Sequence, residues 1–306
     1  MEDPKLIVIY SHSAGQNVRV DKLPERGKTV WAKSWLCDRD GAKGTNVAVS
    51  AARLGTPTAL VSKTGDDFWA QMADCLLEGA EVNTDFLVRD PAASTPTGVV
   101  FVDEQGDNSI VLSPEVQDLS ADQIDRALNA FPKAQYAASG YELQVESANL
   151  ALQKARALGI RTALNPSPVP KERPDFSFVD LLFVNEHEAA ELLSLGGESA
   201  HQDPLENVRC LNQLYSCQQI VITLGGHGYA GIDQGQVFQG SGVPVSVVDT
   251  SGAGDGFMGA VLSELIRGRT LKEACAFANC YSSMAVQAQG TIPGYLTRAE
   301  MEKRFP

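Results

Sequence analysis

Short apolar runs of Val, Ile and Leu alternate along most of this 306-residue chain with longer amphipathic stretches, and that alternation leaves few folds open. A brief continuous apolar run suits a strand covered on both faces, whereas apolar residues recurring every three to four positions suit a helix that does the covering. Strand and helix in regular succession predict parallel strands joined by crossover helices. The strand candidates are Leu6 to Tyr10, Ala59 to Ser62, Gln135 to Ser139, Thr162 to Leu164, Leu181 to Val184, Ile220 to Leu224 and Val243 to Val248. Helices are expected near Asn46 to Leu54, Phe68 to Glu78, Ala121 to Phe131, Val145 to Leu158, Glu186 to Ser194, Leu205 to Tyr215, Gly254 to Arg267 and Leu271 to Gln287. Ser120 before Gln123 and Thr270 before Glu273 stand at capping-box spacing, so two of these helix starts carry their own signal.

Two segments break the rhythm. Residues 17 to 35 and 97 to 112 are β-rich without leading into a helix, and the second carries a hairpin signal around Gly106. Such strands do not join a parallel core sheet easily. They suit a small antiparallel flap over one end of it, whose exposed apolar side could also serve a homodimer. The expectation is an α/β fold: a single domain over 1–306 with a central, mainly parallel sheet flanked by helices and a small β-sheet lid from segments about 13–37 and 95–112. No repeat of 20 to 50 residues interrupts it, and the only low-complexity stretch is the proline-rich NPSPVPKERP at 165 to 174.

Charge narrows the partners. Lys and Arg number 25 against 38 Asp and Glu, a net of −13 that repels nucleic acid and anionic lipid, and the longest basic run is the pair Lys303 and Arg304. Cys37, Cys75, Cys210, Cys217, Cys275 and Cys280 show neither a CxxC nor a paired zinc spacing, which fits a reducing, cytoplasmic setting. The amino end, MEDPKLIVIYSHS, turns polar after six apolar residues, too soon for a signal or membrane segment. Several familiar motifs fail as well. Gly27-Lys28-Thr29 resembles the end of a phosphate-binding P-loop, but Lys22 stands where its first glycine belongs. YSHSAGQN after the first strand holds no GxGxxG, His187-Glu188-Ala189-Ala190-Glu191 lacks the second histidine of HExxH, and no GxSxG occurs.

Three stretches carry chemistry. In VVDTSGAGDGFMGAVLSEL, 247 to 265, a strand-like run gives way to a helix through Gly252, Gly254 and Gly256. Glycines let backbone N–H groups approach an anion closely, and the helix amino end adds partial positive charge. Asp255 inside that turn either stabilises the first helical turn or accepts a proton from an attacking hydroxyl. Asn185-Glu186-His187-Glu188, directly after LLFV, reads as a helix cap or as oxygens that order water around a phosphate-bound Mg²⁺. Gly41-Ala42-Lys43-Gly44-Thr45-Asn46 opens an Ala-rich helix, either for tight packing or as a polar cluster for a hydroxylated ligand.

In order and distance these stretches resemble the signatures of the ribokinase-like sugar kinases, also called the phosphofructokinase-B family: GAKGTNVAVSAARLG at 41 to 55, NPSP at 165 to 168, NEHE at 185 to 188 and DTSGAGDGF at 249 to 257. The resemblance implies Asp255 as catalytic base, with Gly252, Ala253 and Gly254 as a backbone anion hole. It implies Asn185 and Glu188 as organisers of Mg²⁺ and the ATP phosphates, Thr223, Gly225 and Gly228 as a nucleotide-binding turn, and Asn279 beside the adenine. Lys43, Asn46 and Glu142 match sugar-contacting positions, as do Ala42, Ser13 and Gly15 by alignment. Asp249, with carbonyls near Ser251, Ala285 and Gly290, matches a monovalent cation site, K⁺ in many relatives.

The chain also departs from the family pattern. Where close ribokinases carry Asn-x-Asp to grip sugar hydroxyls, it has Ser13, Ala14 and Gly15, and the usual GGKG is GAKG. His12, Gln16 and Asn17 are the candidates for replacement hydrogen bonds. The expected activity is ATP-dependent phosphorylation of a hydroxyl of a small sugar, first a pentose such as ribose. The alternatives are a nucleoside or phosphosugar kinase on the same scaffold, or a sugar- or nucleotide-binding protein without turnover. The expected partners are the sugar and ATP alone, with neither nucleic acid nor membrane.

Overall fold

A computed structural model describes residues 2–104 and 108–305. Its core is one nine-stranded sheet. In chain order the strands are β1 (Leu6–Ile9), β4 (Thr58–Thr64), β5 (Asn83–Arg89), β8 (Tyr136–Gly140), β9 (Arg161–Asn165), β10 (Leu181–Asn185), β11 (Gln219–Thr223), β12 (Gly228–Asp233) and β13 (Gln236–Ser241). Across the sheet they run β13-β12-β11-β10-β9-β8-β1-β4-β5, parallel from β11 to β5, with β12 and β13 added antiparallel at one edge. The side chains of β1, Leu-Ile-Val-Ile, have no exposure at all. Both faces are therefore covered, and the uninterrupted apolar run is the sequence trace of that burial.

The covering helices are α1 (Lys43–Arg53), α2 (Phe68–Leu77), α3 (Ala121–Ala130), α4 (Val145–Ala157), α5 (Glu186–Leu195), α6 (Pro204–Tyr215), α7 (Ala253–Ile266) and α8 (Leu271–Ala285), followed by the short α9 (Thr291–Gly294) and α10 (Arg298–Arg304). The capping boxes at Ser120/Gln123 and Thr270/Glu273 are both formed, and Asn185/Glu188 and Thr297/Glu300 form two more. Helix α7 is buried from Asp255 to Glu264, enclosed by α1 and α8. At Gly259 a Cβ would come within 2.7 Å of the Val47 carbonyl and Ser50 Oγ, so the absence of a side chain is what lets α7 lie against α1.

The β-rich segments form a second sheet, β3-β2-β6-β7, from β2 (Ala14–Arg19), β3 (Ser34–Gly41), β6 (Gly98–Val102) and β7 (Asn108–Leu112). It corrects the antiparallel flap in one respect: β2–β3 and β6–β7 are antiparallel, but β2 and β6 pair in parallel, because each enters from the core in the same direction. The expected turn at Gly106 lies outside the described residues.

One expected strand is absent. Val243 to Val248 forms no ladder: Pro244 offers no N–H, and the Val248 and Asp249 N–H groups both donate to the Val286 carbonyl at the end of α8. The sheet edge is taken instead by the β12–β13 hairpin, whose turn residues Gln234 and Gly235 have φ of 47° and 83°. Two successive positive φ values define a tight turn that matches strand twist, and the Gly after a polar residue is the signal by which it could have been found.

Candidate active site

Parallel strands gather chemistry at their carboxyl ends. Ser11 and His12 follow β1, Glu142 follows β8, and Asn165, Asn185 and Thr223 end β9, β10 and β11, with Asn185 and Thr223 paired in register. Over this edge stands the second sheet. Between them lies a cavity of about 280 Å³ bounded by Ser11, Lys43, Asn46, Glu142, Gly252 and Asp255 from the core and by Gly15, Asp40, Thr97, Val100, Ile110 and Leu112 from the second sheet.

Asp255 is at the cavity floor, in the first turn of α7. Asn46 Nδ2 donates to its Oδ2 at 2.9 Å and also to the Gly41 carbonyl at 3.0 Å. Thr291 Oγ1 donates to Asn46 Oδ1 at 2.8 Å, so the amide cannot flip without losing three bonds. Lys43 Nζ lies 3.6 Å from Asp255 Oδ1. Burial favours the neutral amine, but the carboxylates of Asp255, Glu142 and Glu188 outweigh it and hold the Lys43 pKa above the ordinary lysine value. Glu142 Oε2 accepts from Ser11 Oγ at 2.6 Å and from the Lys43 N–H at 3.1 Å. Burial pushes the Glu142 carboxyl upward against the pull of the Lys43 ammonium. Asp40 is raised as well, first by burial.

The helix start is open to an anion. Gly252, the N-cap of α7, has φ +68° and brings no capping side chain; the Ala253 N–H turns back to the Thr250 carbonyl at 3.3 Å, and the Gly252 and Gly254 N–H groups meet no side-chain acceptor there. Gly252 is fixed from behind by Tyr295, whose hydroxyl donates to its carbonyl at 2.7 Å, and Ser282 Oγ donates to the Ala253 carbonyl at 3.1 Å. Ala42 caps α1 at φ −62°, a conformation any residue adopts, so GAKG in place of GGKG distorts nothing here. Ser13 also lines the cavity, and its carbonyl accepts from the Ala42 N–H at 3.1 Å.

Of the remaining sequence-selected residues, Ser251 also lines this cavity, and the others lie outside it. Asn185 Oδ1 accepts from the His187 and Glu188 N–H groups, while Glu188 Oε2 accepts from the Asn185 N–H at 2.9 Å and from Asn165 Nδ2 at 3.3 Å. Gly225 and Gly228 bound the turn after Thr223; Gly228 is in register with Ser241, whose carbonyl accepts from Asn279 Nδ2 at 2.9 Å. Thr223, Gly225, Gly228 and Asn279 are thus linked through the turn after β11 and through Ser241. Asp249 Oδ2 accepts from Asn17 Nδ2 and from the Gly290 N–H, each at 3.0 Å, and its Oδ1 accepts from the Ser251 N–H at 2.9 Å. The Ala285 carbonyl accepts from the Ala288 N–H at 3.2 Å.

The three replacement candidates have other partners. His12 is fully buried, with Nδ1 2.9 Å from Thr45 Oγ1 and Nε2 3.3 Å from Asp74 Oδ1. Asn17 holds Asp249, and Gln16 accepts from Trp35 Nε1 at 3.0 Å. Sequence reasoning passed over Ser11, Asp40, Gln117 and Thr291, all of which line the cavity. Only the carboxylate at Asp40, directly before GAKG, carried any sequence signal.

A cavity that runs from an aliphatic wall to an acid and a helix start without a capping side chain suits a phosphotransferase acting on a hydroxylated small molecule. The model of the pfkB family carbohydrate kinases matches residues 19–298, and the chain belongs to that family: it is an ATP-dependent carbohydrate kinase of the ribokinase group. It is similar to the ribokinase of Bacillus subtilis, at 31% identity over 97% of this chain and 98% of that one. It is similar also to the deoxyribokinase of Salmonella typhi, at 28% identity over 95% of each. The solved structure of Arabidopsis thaliana ribokinase complexed with ribose and ATP superposes with a TM-score of 0.83, at 27% identity over 98% of each chain.

Proposed function

We propose that this kinase transfers the γ-phosphoryl group of ATP to the primary hydroxyl of a pentose, ribose first. The reading rests on the position of Asp255, on the cavity lining between Asn46 and Lys43 and within the first turn of α7, which has no capping side chain. The Asp255 carboxylate orients the hydroxyl in line with the phosphorus and takes its proton as the O–P bond forms and the bond to the leaving ADP breaks. Phosphoryl transfer proceeds through a loose transition state, so orientation and charge stabilisation count for more than base strength. The Lys43 ammonium and the N–H groups at Gly252, Ala253 and Gly254 offset the charge on the transferring group. ATP lies along Thr223, Gly225, Gly228 and Asn279. The second sheet acts as a lid, since residues of β6 and β7 complete the cavity wall and exclude water that would otherwise hydrolyse ATP.

The donor set fits the accompanying ions. Glu188 uses one carboxylate oxygen for the cap, and a carboxylate has about four acceptor positions, leaving Glu188 able to hold water around Mg²⁺, while Asn185, whose Oδ1 already accepts two N–H groups, holds Glu188 in place through the cap. Bound there, Mg²⁺ would neutralise phosphate charge. Beside Asp249, Ser251 Oγ is buried without a hydrogen-bond partner among the described residues, which fits a monovalent cation held by Asp249 and neighbouring carbonyls near Ser251, Ala285 and Gly290.

Charge separates the possible acceptors. The cavity presents the carboxylates of Asp40, Glu115, Glu142 and Asp255 against one ammonium, Lys43, which disfavours a phosphorylated sugar. Its wall toward the second sheet is aliphatic, Val100, Ile110 and Leu112, and Tyr141, the aromatic residue on its lining, is buried, which gives a nucleoside base little to stack on. Exposed Trp35 and Val111 share the face of the second sheet turned away from the cavity and leave an apolar patch there suited to a homodimer, which light scattering would detect. No helix among the described residues is long and apolar enough to cross a membrane. All six cysteines are free, which supports a place in the cytoplasm.

The test is ADP release over a panel of pentoses, hexoses, nucleosides and sugar phosphates with ATP and Mg²⁺. Turnover is expected with a pentose, and Asp255→Asn should retain folding and ATP binding while losing roughly 10²- to 10⁴-fold in kcat. Unchanged kcat in that variant rejects the assignment.

A further inference from the structure

One carboxylate oxygen at the cavity has no role in the chemistry above. Asp40, near the end of β3, is 3% exposed. It pairs in register with Gly15 on β2, so the two share one face of the second sheet, and both line the cavity. Its Oδ1 accepts from the Thr291 N–H at 2.8 Å. Its Oδ2 is buried and has no hydrogen-bond partner among the described residues. A buried acceptor left in that state is costly, more so when it belongs to a carboxylate, and native proteins leave few such groups unexplained. The neighbours do not supply the missing donor. Lys43 is directed at Asp255 and Asn46 Nδ2 at Gly41 and Asp255; Asn17 lies close enough to pull the Asp40 carboxyl downward, but its Nδ2 hydrogen bond goes to Asp249. Gly15 contributes no side chain at all; a Cβ there would lie 3.3 Å from Asp40 Cβ, at the cavity lining that the two residues share.

We propose that Asp40 Oδ2 is a specificity subsite that accepts a hydrogen bond from the acceptor substrate, from a hydroxyl or amino group away from the carbon that is phosphorylated. The inference deepens the sugar-kinase reading and rests on it. It gives Gly15 a purpose as well: the small residue on β2 keeps the carboxylate on β3 within reach of the ligand. A site built around an unpaired acceptor rejects analogues lacking the matching donor far more strongly than an apolar pocket rejects a missing methylene.

The experiment pairs Asp40→Asn with sugars that each lack one hydroxyl or carry an amino group in its place. Asn keeps an oxygen for the Thr291 N–H, so the fold is retained, but can turn an NH₂ donor toward the cavity where the carboxylate had an acceptor. KM for the preferred sugar should rise about 10- to 100-fold, with KM for ATP unmoved, the range expected for one hydrogen bond to a charged group. The wild type should discriminate against one particular deoxy analogue, and that discrimination should collapse in Asp40→Asn. Retention with the amino analogue of that same position would identify the donor as replaceable by nitrogen; loss would identify a hydroxyl, and either agrees with the subsite. A merely structural role for Asp40 would lower thermal stability and shift every sugar alike without changing these ratios. Gly15→Ala is the second variant and should raise the sugar KM with Asp40 intact. Unchanged KM and ratios in Asp40→Asn overturn the subsite while wild-type sugar turnover leaves the kinase reading standing. Should the wild type turn over no sugar, the kinase reading fails. Sugar-dependent thermal shift without ATP then judges Asp40 alone: a shift lost in Asp40→Asn sustains the subsite, and no shift, or an equal one in the variant, removes it.

Discussion

Replacing Gly252 by Ala is the sharpest probe of the turn that opens α7. The residue has φ +68°, and an added Cβ would lie 2.6 Å from both Thr291 Cγ2 and the Tyr295 hydroxyl. An L-residue in the left-handed region costs about 1–2 kcal/mol. Forcing a methyl into a filled space costs typically about 1–3 kcal/mol more. Gly252→Ala should therefore lose about 2–5 kcal/mol, a large part of the roughly 5–15 kcal/mol by which such proteins are stable. The damage should also reach the chemistry. If Thr291 yields, it loosens its bond to Asn46 Oδ1 and with it the Asn46 grip on Asp255; if Tyr295 yields, the Gly252 carbonyl loses its donor. Gly254→Ala is the control, because nothing lies within 4 Å of a Cβ there and its φ is not positive. It should be neutral or gain up to about 1 kcal/mol, the ordinary benefit of Ala over Gly in a helix. Urea unfolding of both variants, with ADP release measured in parallel, decides the matter. A Gly252→Ala protein within about 0.5 kcal/mol of the wild type, well below the expected cost of the backbone alone, refutes the reasoning.

Burial holds the His12 pKa below the ordinary imidazole value of 6.5, against the opposing pull of Asp74. Below pH 6.5 the unfolded chain takes up a proton that the native chain still refuses, so stability should fall as pH falls, by at most about 1.4 kcal/mol per unit from this group. Urea unfolding between pH 5 and 8 should show a shallower decline in His12→Asn, and identical slopes would count against it. Replacing K⁺ by choline should lower both kcat and the melting temperature if a monovalent cation sits beside Asp249 and Ser251. Equal values in both salts would remove the cation from the account.

The legible parts of this fold were local ones. Capping boxes at Ser120 and Thr270 marked helix starts because the partners lie three residues apart, and apolar runs marked the central strands because burial on both faces leaves no alternation. Val243 to Val248 misled for the same reason: its apolar side chains resemble a strand, yet Pro244 and the geometry after β13 give it no ladder. The site divides likewise. Gly252, Gly254 and Asp255 fall in one turn, and their chemistry follows from adjacency, with the family signature supplying the roles of residues farther along.

What tertiary structure alone decided is which distant groups meet. Asn46 reaches Asp255 across 209 residues, Ser11 reaches Glu142 across 131, and Asn17 reaches Asp249 across 232. His12 and Asn17 offered suitable hydrogen-bonding groups by composition, but packing spent them on Thr45, Asp74 and Asp249, whereas Asp40 kept an oxygen unpaired beside the cavity. Sequence determines the donors and acceptors each segment brings; only the packed chain determines which remain unused, because a hydrogen-bonding group is satisfied by its neighbours in space.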